Sequence, residues 1–376
     1  MTRLWTIVRK EVIHILRDSR TLALIIALPA LLLILLGYGV SGESKNIPMA
    51  VADFSKTDAS RRYIDYYTSS GDFQVRYDVL SEAEILALID QDLAQVGLLI
   101  PEDFGRQVST GGTTDVQLYY NASDPDIAQK TNLTIAAISQ IAVQELLYEQ
   151  LGRSGLGSQI RIPIETHSIA LYNPDNEQGL FMIPGLIPII LQVQALLLTT
   201  LAIVREREQG TMEQLIVTPI RSWELMLGKI LPYLAVGLVN TVAVLFVGAF
   251  IFDVAIVGSI WQFLLVSMVF IIGSLGMGVL ISNISQTQMQ AMYLAVGLIL
   301  IPSIILSGLI FSRSSMPWFS YWISELLPVS HYLEITRGIM LKGVGISTLM
   351  PSVWPLIILS IVYFVASVLL FKKRVG

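Results

Sequence analysis

Arg205-Glu206-Arg207-Glu208-Gln209-Gly210-Thr211-Met212-Glu213-Gln214-Leu215-Ile216-Val217-Thr218-Pro219-Ile220 lies between two long apolar runs, and its reading decides the fold. Each of its four leading charges would cost about 3 kcal/mol at the centre of a bilayer, so the preceding run must end there. Thr211 then opens a short helix, with Gln214 three residues on in capping-box position. Met212, Leu215 and Ile216 fall on one side, Glu213 and Gln214 towards the other. Pro219 pushes Thr218 out of the helical region, which limits the element to about two turns. Ser222 can cap a second helix that runs through Trp223, Glu224 and Lys229 into the next apolar segment. A stub this short leans on the bilayer surface or on a partner protein. A plain polar hairpin between two membrane helices accounts for the same residues.

The composition agrees with membrane spans on either side. The 376 residues are 53% hydrophobic and 14% charged, with a mean hydropathy of +0.65, and several apolar runs reach about 20 residues, enough to cross a hydrocarbon core. Charge is segregated. Between Ser41 and Gly179 stand 20 acidic and 9 basic residues, a net −11, which leaves +6 elsewhere in a chain of net charge −5. No basic stripe with interleaved aromatics points to nucleic acid. With no cysteine, disulfides, thiolate metal sites and cysteine nucleophiles are excluded. The first apolar run begins late and no small-residue cleavage site follows it, so no cleavable signal is expected.

Thr2 to Arg17 reads as an interfacial helix, with Leu4, Trp5, Val8, Val12, Ile15 and Leu16 on one face and Arg3, Lys10, His14 and Arg17 opposite. The first span follows over 21–40, with Pro29 inside it. Five more are expected at Leu180–Val204, Ile230–Phe252, Ile260–Ile281, Met289–Phe311 and Trp354–Phe371. Arg3, Arg9, Lys10, Arg17, Arg20, Arg205, Arg207, Arg221, Lys229 and the terminal Lys372-Lys373-Arg374 all flank one side. The positive-inside rule then puts both termini and the loop 205–229 in the cytoplasm of a multi-pass protein of the cell (inner) membrane.

Residues 41–179 read as an outward-facing α/β domain. Ile47–Phe54, Phe73–Val79, Gln95–Ile100, Asp115–Tyr120 and Arg161–Leu171 are expected strands. Ser60–Thr68, a helix capped by Ser81 with Glu84, and a long helix opening at Asp124-Pro125 stand between them. The fold class expected is therefore an α-helical polytopic membrane protein with six transmembrane helices. An α/β extracytoplasmic domain sits between the first two spans. The divisions of that plan are 1–20, 21–40, 41–179 and 180–376, the last with an amphiphilic re-entrant hairpin over 312–353 whose two half-helices meet at Pro328.

Motifs for chemistry are missing. Gly228-Lys229 is followed by Ile230, so there is no Walker A loop, and three scattered histidines make no zinc site. Gly39-Val40-Ser41-Gly42 is similar to the serine motif of intramembrane rhomboid proteases, but only His331 could serve as a base. No catalytic residue and no metal are expected. Pro328, His331, Glu334 and Arg337 are gate candidates, the last three sharing one helical face; a mutually satisfied charge cluster is the plainer reading. Gln192, Gln194, Asn240, Gln288 and Gln290 could touch cargo, and hydrogen bonds between packed helices explain them equally well. Gly273 to Gly278 offers a small-residue surface for close helix approach.

Glu206 to Leu215, the Val217-Thr218-Pro219-Ile220 turn and Gly228-Lys229 before Pro232-Tyr233 resemble the cytoplasmic loop of type 2 ABC exporter permeases. Ser307-Gly308, Met316-Pro317, Leu327-Pro328, His331-Tyr332 and Arg337-Gly338-Ile339-Met340-Leu341 resemble that family's outer hairpin, though His331 departs from many relatives. A large outer domain after the first span resembles the multidrug efflux branch. The resemblance implies a half-transporter driven by a separate ATP-binding subunit that holds ATP and Mg, with a second permease copy or a paralogue, and room for a periplasmic adaptor. Glu206, Glu208, Gly210, Thr211, Met212, Glu213, Leu215, Ile216 and Pro219 would then couple to the ATPase, and the cargo would be lipophilic or amphipathic. A membrane-anchored sensor or secretion scaffold is the alternative.

Overall fold

A computed structural model describes residues 2–17, 19–40, 46–110, 112–121, 131–141, 172, 177–210 and 222–371. The chain divides into two compact units, Met1–Gly42 with Ile169–Gly376, and Glu43–Ser168. Among the described residues, the first unit holds six helices long and apolar enough to cross a membrane: Leu22–Gly39, Gln178–Glu208, Trp223–Ile251, Ile260–Ile284, Gln288–Leu306 and Met350–Leu370. They correspond to the six expected runs and are the first to sixth spans below. The second span is the hub, mostly buried and packed on the first, third, fourth and fifth, whereas the first, fifth and sixth expose most of their residues. Small residues set the close approaches. A Cβ on Gly273 or Gly276 of the fourth span would press on Ser360 or Phe364 of the sixth, and one on Gly278 on the Leu196 carbonyl of the second.

The fifth span contains a feature that the apolar run did not announce. Val296–Leu300 is a π turn, closed by the Ile301 N–H on the Val296 carbonyl, and Pro302 follows it. Proline cannot donate to the carbonyl four residues back and its ring crowds that carbonyl; a widened turn relieves both.

The hairpin forms as two helices, Trp318–Glu325 and Pro328–Met340, with Pro328 in the first turn where a missing N–H costs nothing. Trp318, Phe319, Trp322 and Leu326 are exposed, while the second helix is buried almost throughout. Tyr332 anchors it, its ring stacked on Phe270 with centroids 4.1 Å apart and its hydroxyl 2.6 Å from Ser267 Oγ. Its last carbonyls, Ile339 and Met340, accept from the N–H groups of Gly258 and Val257.

The N-terminal helix Thr2–Arg17 forms as expected, and it packs on the protein through a narrow face beside its apolar stripe. Ile7 and Glu11 are buried, whereas Trp5, Val12 and Leu16 stand exposed. The apolar stripe is thus turned away from the protein, and a carboxylate lies on the inner side.

The second unit carries a four-stranded sheet in the order β2-β1-β3-β4, made of Ile47–Asp53 (β1), Phe73–Asp78 (β2), Val96–Ile100 (β3) and Gln117–Tyr120 (β4). β1 pairs parallel with β2 and with β3, and β4 is antiparallel to β3. Both faces are covered, so the strands alternate between two cores. Met49, Val51, Val96, Leu98 and Ile100 pack with Tyr67, Phe104 and Ile138; Ala50 and Ala52 pack with Ile85. Asp58–Ser69 and Glu82–Asp90 are the helices between strands. Ser81 caps the latter as expected, accepting from Glu84 N–H, while the Glu84 carboxylate returns to Leu80 N–H, one residue short of a closed capping box. The sequence reading missed a short helix, Phe104–Thr110. Of the long helix read from Asp124, residues 131–141 are described; the strand Arg161–Leu171 lies outside the described residues. With two cores of its own, residues 43–168 expressed alone should give one cooperative thermal transition. Leu98→Ala should lower its stability by about 2–5 kcal/mol. A featureless melt would show that the unit depends on the rest of the chain.

Candidate functional site

Successive side chains on a helix point about 100° apart, and the charges that end the second span use this to reach different neighbours. Glu206 meets Lys229 at the start of the third span, Oε2 to Nζ 2.6 Å. Lys229 is only 1% exposed and lies 3.4 Å from Glu11 Oε1 on the N-terminal helix. Lys10 adds a fourth charge, 3.4 Å from Glu206 and 3.9 Å from Glu11. Gly228 permits the meeting, because a Cβ there would stand 2.6 Å from Ile7 Cγ2 and lift the N-terminal helix off the third span.

Arg207 turns the other way. Its Nη1 donates to the backbone carbonyls of Ser282 and Ser285, at 2.8 and 2.6 Å. These close the fourth span, where no further N–H follows, and a cation suits that end of the helix dipole. Glu208 accepts from Gln288 N–H at 2.8 Å and from the Gln288 side-chain amide, so a carboxylate sits at the first turn of the fifth span. Gly210 ends the helix with φ +67° and its N–H on the Arg207 carbonyl, a conformation that a side chain would strain. Of the coupling candidates, Glu206, Glu208 and Gly210 are thus placed, while Thr211, Met212, Glu213, Leu215, Ile216 and Pro219 lie outside the described residues. Sequence reasoning did not foresee Glu11 and Arg207 as partners in this set. The available signal was that Glu11 is the sole acid in an otherwise basic helix.

The gate candidates do not form one mutually paired row. His331 Nε2 is 2.9 Å from the Glu325 carbonyl oxygen and 3.6 Å from its carboxylate. Glu334 pairs with Arg313 Nη1 at 2.6 Å and accepts from Ser352 Oγ at 2.6 Å, and Arg313 also grips Glu325. Arg337 stands outside that set. Its Nη1 donates to the Gly308 carbonyl at 2.9 Å and its guanidinium lies 3.7 Å over the Phe181 ring.

The five amides also separate. The Gln194 side chain donates to the Ile25 carbonyl of the first span. That carbonyl would bond the N–H of residue 29, and residue 29 is proline, so the amide replaces the missing donor. Gln288 and Gln290 sit at the start of the fifth span, with Gln290 Oε1 accepting from Gln286 N–H and its own N–H bonded to Thr287 Oγ1. Gln192 and Asn240 are buried with both amide atoms unpartnered among the described residues.

The family model described as "ABC-2 family transporter protein" matches residues 19–369. The chain belongs to the ABC-2 transporter family. Among its relatives, the "Probable multidrug ABC transporter permease YbhR" of Escherichia coli (strain K12) is 29% identical over 374 residues, 99% of each chain. The "Probable multidrug ABC transporter permease YbhS" of the same strain is 28% identical over 96% of this chain and 92% of its own length. The "Inner membrane transport permease YhhJ" is 26% identical over 89% and 87%. This ABC-2 chain is therefore a multi-pass permease component and not itself the ATPase. In the permease, Lys229→Met would leave the buried Glu11 and the partly buried Glu206 without the cation between them, with the exposed Lys10 alone beside both. The expected cost is about 3–5 kcal/mol, read as a lower thermal midpoint of the purified protein. Adding Glu206→Gln should recover part of it; an unchanged midpoint for the single variant would mean that the cluster carries no such constraint.

Proposed function

We propose that this permease is the membrane subunit of an ATP-driven exporter that moves lipophilic or amphipathic compounds, drug-like molecules or lipids, out of the cytoplasm or inner leaflet. The observation that carries this reading is the set of ion pairs and caps at Glu206, Arg207 and Glu208. Through them the end of the second span holds the N-terminal helix and the third, fourth and fifth spans. A displacement of the adjoining residues 211–221 would be passed to all of these elements at once instead of being absorbed locally. In this reading a separate ATP-binding subunit binds ATP and Mg and takes the Thr211–Val217 helix into a groove. A second copy or a paralogue supplies the other half, and a periplasmic adaptor could extend the path. The loop 205–229 and both termini face the cytoplasm, and the unit 43–168 faces outward, as the Lys/Arg asymmetry favours. The word "multidrug" in the relatives' names supports a drug-like cargo.

Orientation is tested by placing single cysteines in this cysteine-free chain. Position Gln209 should resist an impermeant thiol reagent in intact cells and react after permeabilisation; labelling from outside overturns the orientation. Coupling is tested by two variants at equal membrane abundance, with ATPase co-purification and export as readouts. Burial of Met212, Leu215 and Ile216 would contribute roughly 1.5–3 kcal/mol each before association costs. Leu215→Asp should therefore reduce association more than tenfold, and Glu213→Lys less. Full association and export by Leu215→Asp would exclude this helix as the coupling element.

A further inference from the structure

The second and fifth spans carry buried polar atoms that no described residue satisfies. Two contacts fix how these helices lie together. Glu208 bonds Gln288 at one end, and at the other a Cβ on Gly185 would stand 2.5 Å from Leu309 Cδ1. The helices run antiparallel: sixteen steps inward from Glu208 and Gln288 pair Gln192 with Ile304, and seven from Gly185 and Leu309 pair it with Pro302, so Ser303 lies within about one residue of the level of Gln192. Gln192 is seven residues beyond Gly185, two turns along the same face. It is 1% exposed, and neither its amide oxygen nor its nitrogen has a partner. Ser303 and Ser307, one turn apart, are fully buried with unpartnered hydroxyls. Ser307 adjoins Gly308, whose carbonyl holds Arg337 Nη1, while Arg337 Nε and Nη2 are shut away from solvent without an acceptor.

Nε and Nη2 are the side edge of a guanidinium, two parallel N–H groups spaced for the two oxygens of a carboxylate or phosphate. Glu334, three residues away on the same helix, is engaged by Arg313 and Ser352 and does not fill that edge. Buried polar groups left open in this way mark a place for water or a ligand, the more so between membrane helices. We infer that the Nε/Nη2 edge of Arg337 is an oxyanion-binding site. Ser307, Ser303 and Gln192 form a polar ladder behind it between the second and fifth spans. The ligand is the carboxylate or phosphate of an anionic amphiphile, whose oxyanion docks on the arginine while its chain lies along the apolar sides of the spans. The inference rests on the export of amphipathic compounds proposed above and narrows it. Such an oxyanion has two sources, a phospholipid headgroup or a free amphiphile.

The test titrates the full-length purified permease in a neutral maltoside detergent with 11-(dansylamino)undecanoic acid, using its methyl ester as the uncharged control. The acid should bind saturably and the ester at least about tenfold more weakly. Arg337→Lys keeps the charge but removes the side edge. It should weaken the acid about tenfold and leave the ester unchanged, and Gln192→Leu should weaken the acid by a smaller factor. Competition then separates the sources. Displacement by phosphatidylglycerol but not phosphatidylcholine assigns the site to a lipid headgroup, and retention of the probe against both assigns it to a free amphiphile. Equal binding of acid and ester by the native protein, a comparison that needs no variant to fold, overturns the site, as does undiminished acid binding by folded Arg337→Lys. Binding is read without the ATPase, so intact binding with absent export would fault the exporter reading alone, and lost binding with intact export would fault the oxyanion site alone.

Discussion

Lys229 lies between Glu206 and Glu11, each carboxylate on a different element, with Lys229 and Glu11 buried and Glu206 partly so. A buried ion set of this kind adds little net stability, since desolvation consumes most of the Coulombic gain, but breaking it is expensive. Its effect is therefore geometric: the N-terminal helix and the second and third spans can move only together. The neighbouring charges extend the same constraint. Ser285, Gln286 and Thr287 join the fourth and fifth spans, so a C-terminal and an N-terminal helix end lie side by side with opposite dipole signs. Arg207 serves the first and Glu208 the second. The alternating signs thus answer to the alternating polarity of the helix ends that the second span meets.

The hairpin's last backbone groups are bonded within the protein, the condition that a hydrocarbon environment would impose. Its buried helix borrows Val257 and Gly258 N–H groups to close its last turn, and Tyr332 gains Ser267 for its hydroxyl. Arg337 departs from this pattern, with one of its three nitrogens bonded among the described residues.

Local chemistry made a large part of this legible in the sequence. Span positions follow from run length, the split hairpin from Pro328, and the strands and the Ser81 cap from alternation and side-chain chemistry. What stayed hidden has its cause elsewhere in the chain. Gln194 reads equally as a cargo contact or as a bond between helices until Pro29, far back in sequence, is seen to have stripped Ile25 of its donor. Glu11 looks like a solvated charge on an interfacial helix until Lys229 is placed beneath it. The exposed Trp5, Val12 and Leu16 are compatible with the interfacial reading of Thr2–Arg17, but the pattern did not show that Ile7 and Glu11 would be buried on the other side. For Gln192, whose neighbours are set by the register of two helices, the sequence left cargo contact and helix packing both open.

The bond between Gln194 and the Ile25 carbonyl bears on how the protein is made. Its two ends are separated by 169 residues. A ribosome adding about 5–20 residues/s takes on the order of ten seconds or more to cover that distance. Throughout that interval the first helix has a proline-generated carbonyl, about one turn inside the span, with no donor from its eventual neighbour. Water, a headgroup drawn inward or the insertion machinery must serve as its temporary donor. The first helix therefore matures only when the second arrives, and the order of synthesis places the whole 43–168 unit between the two events.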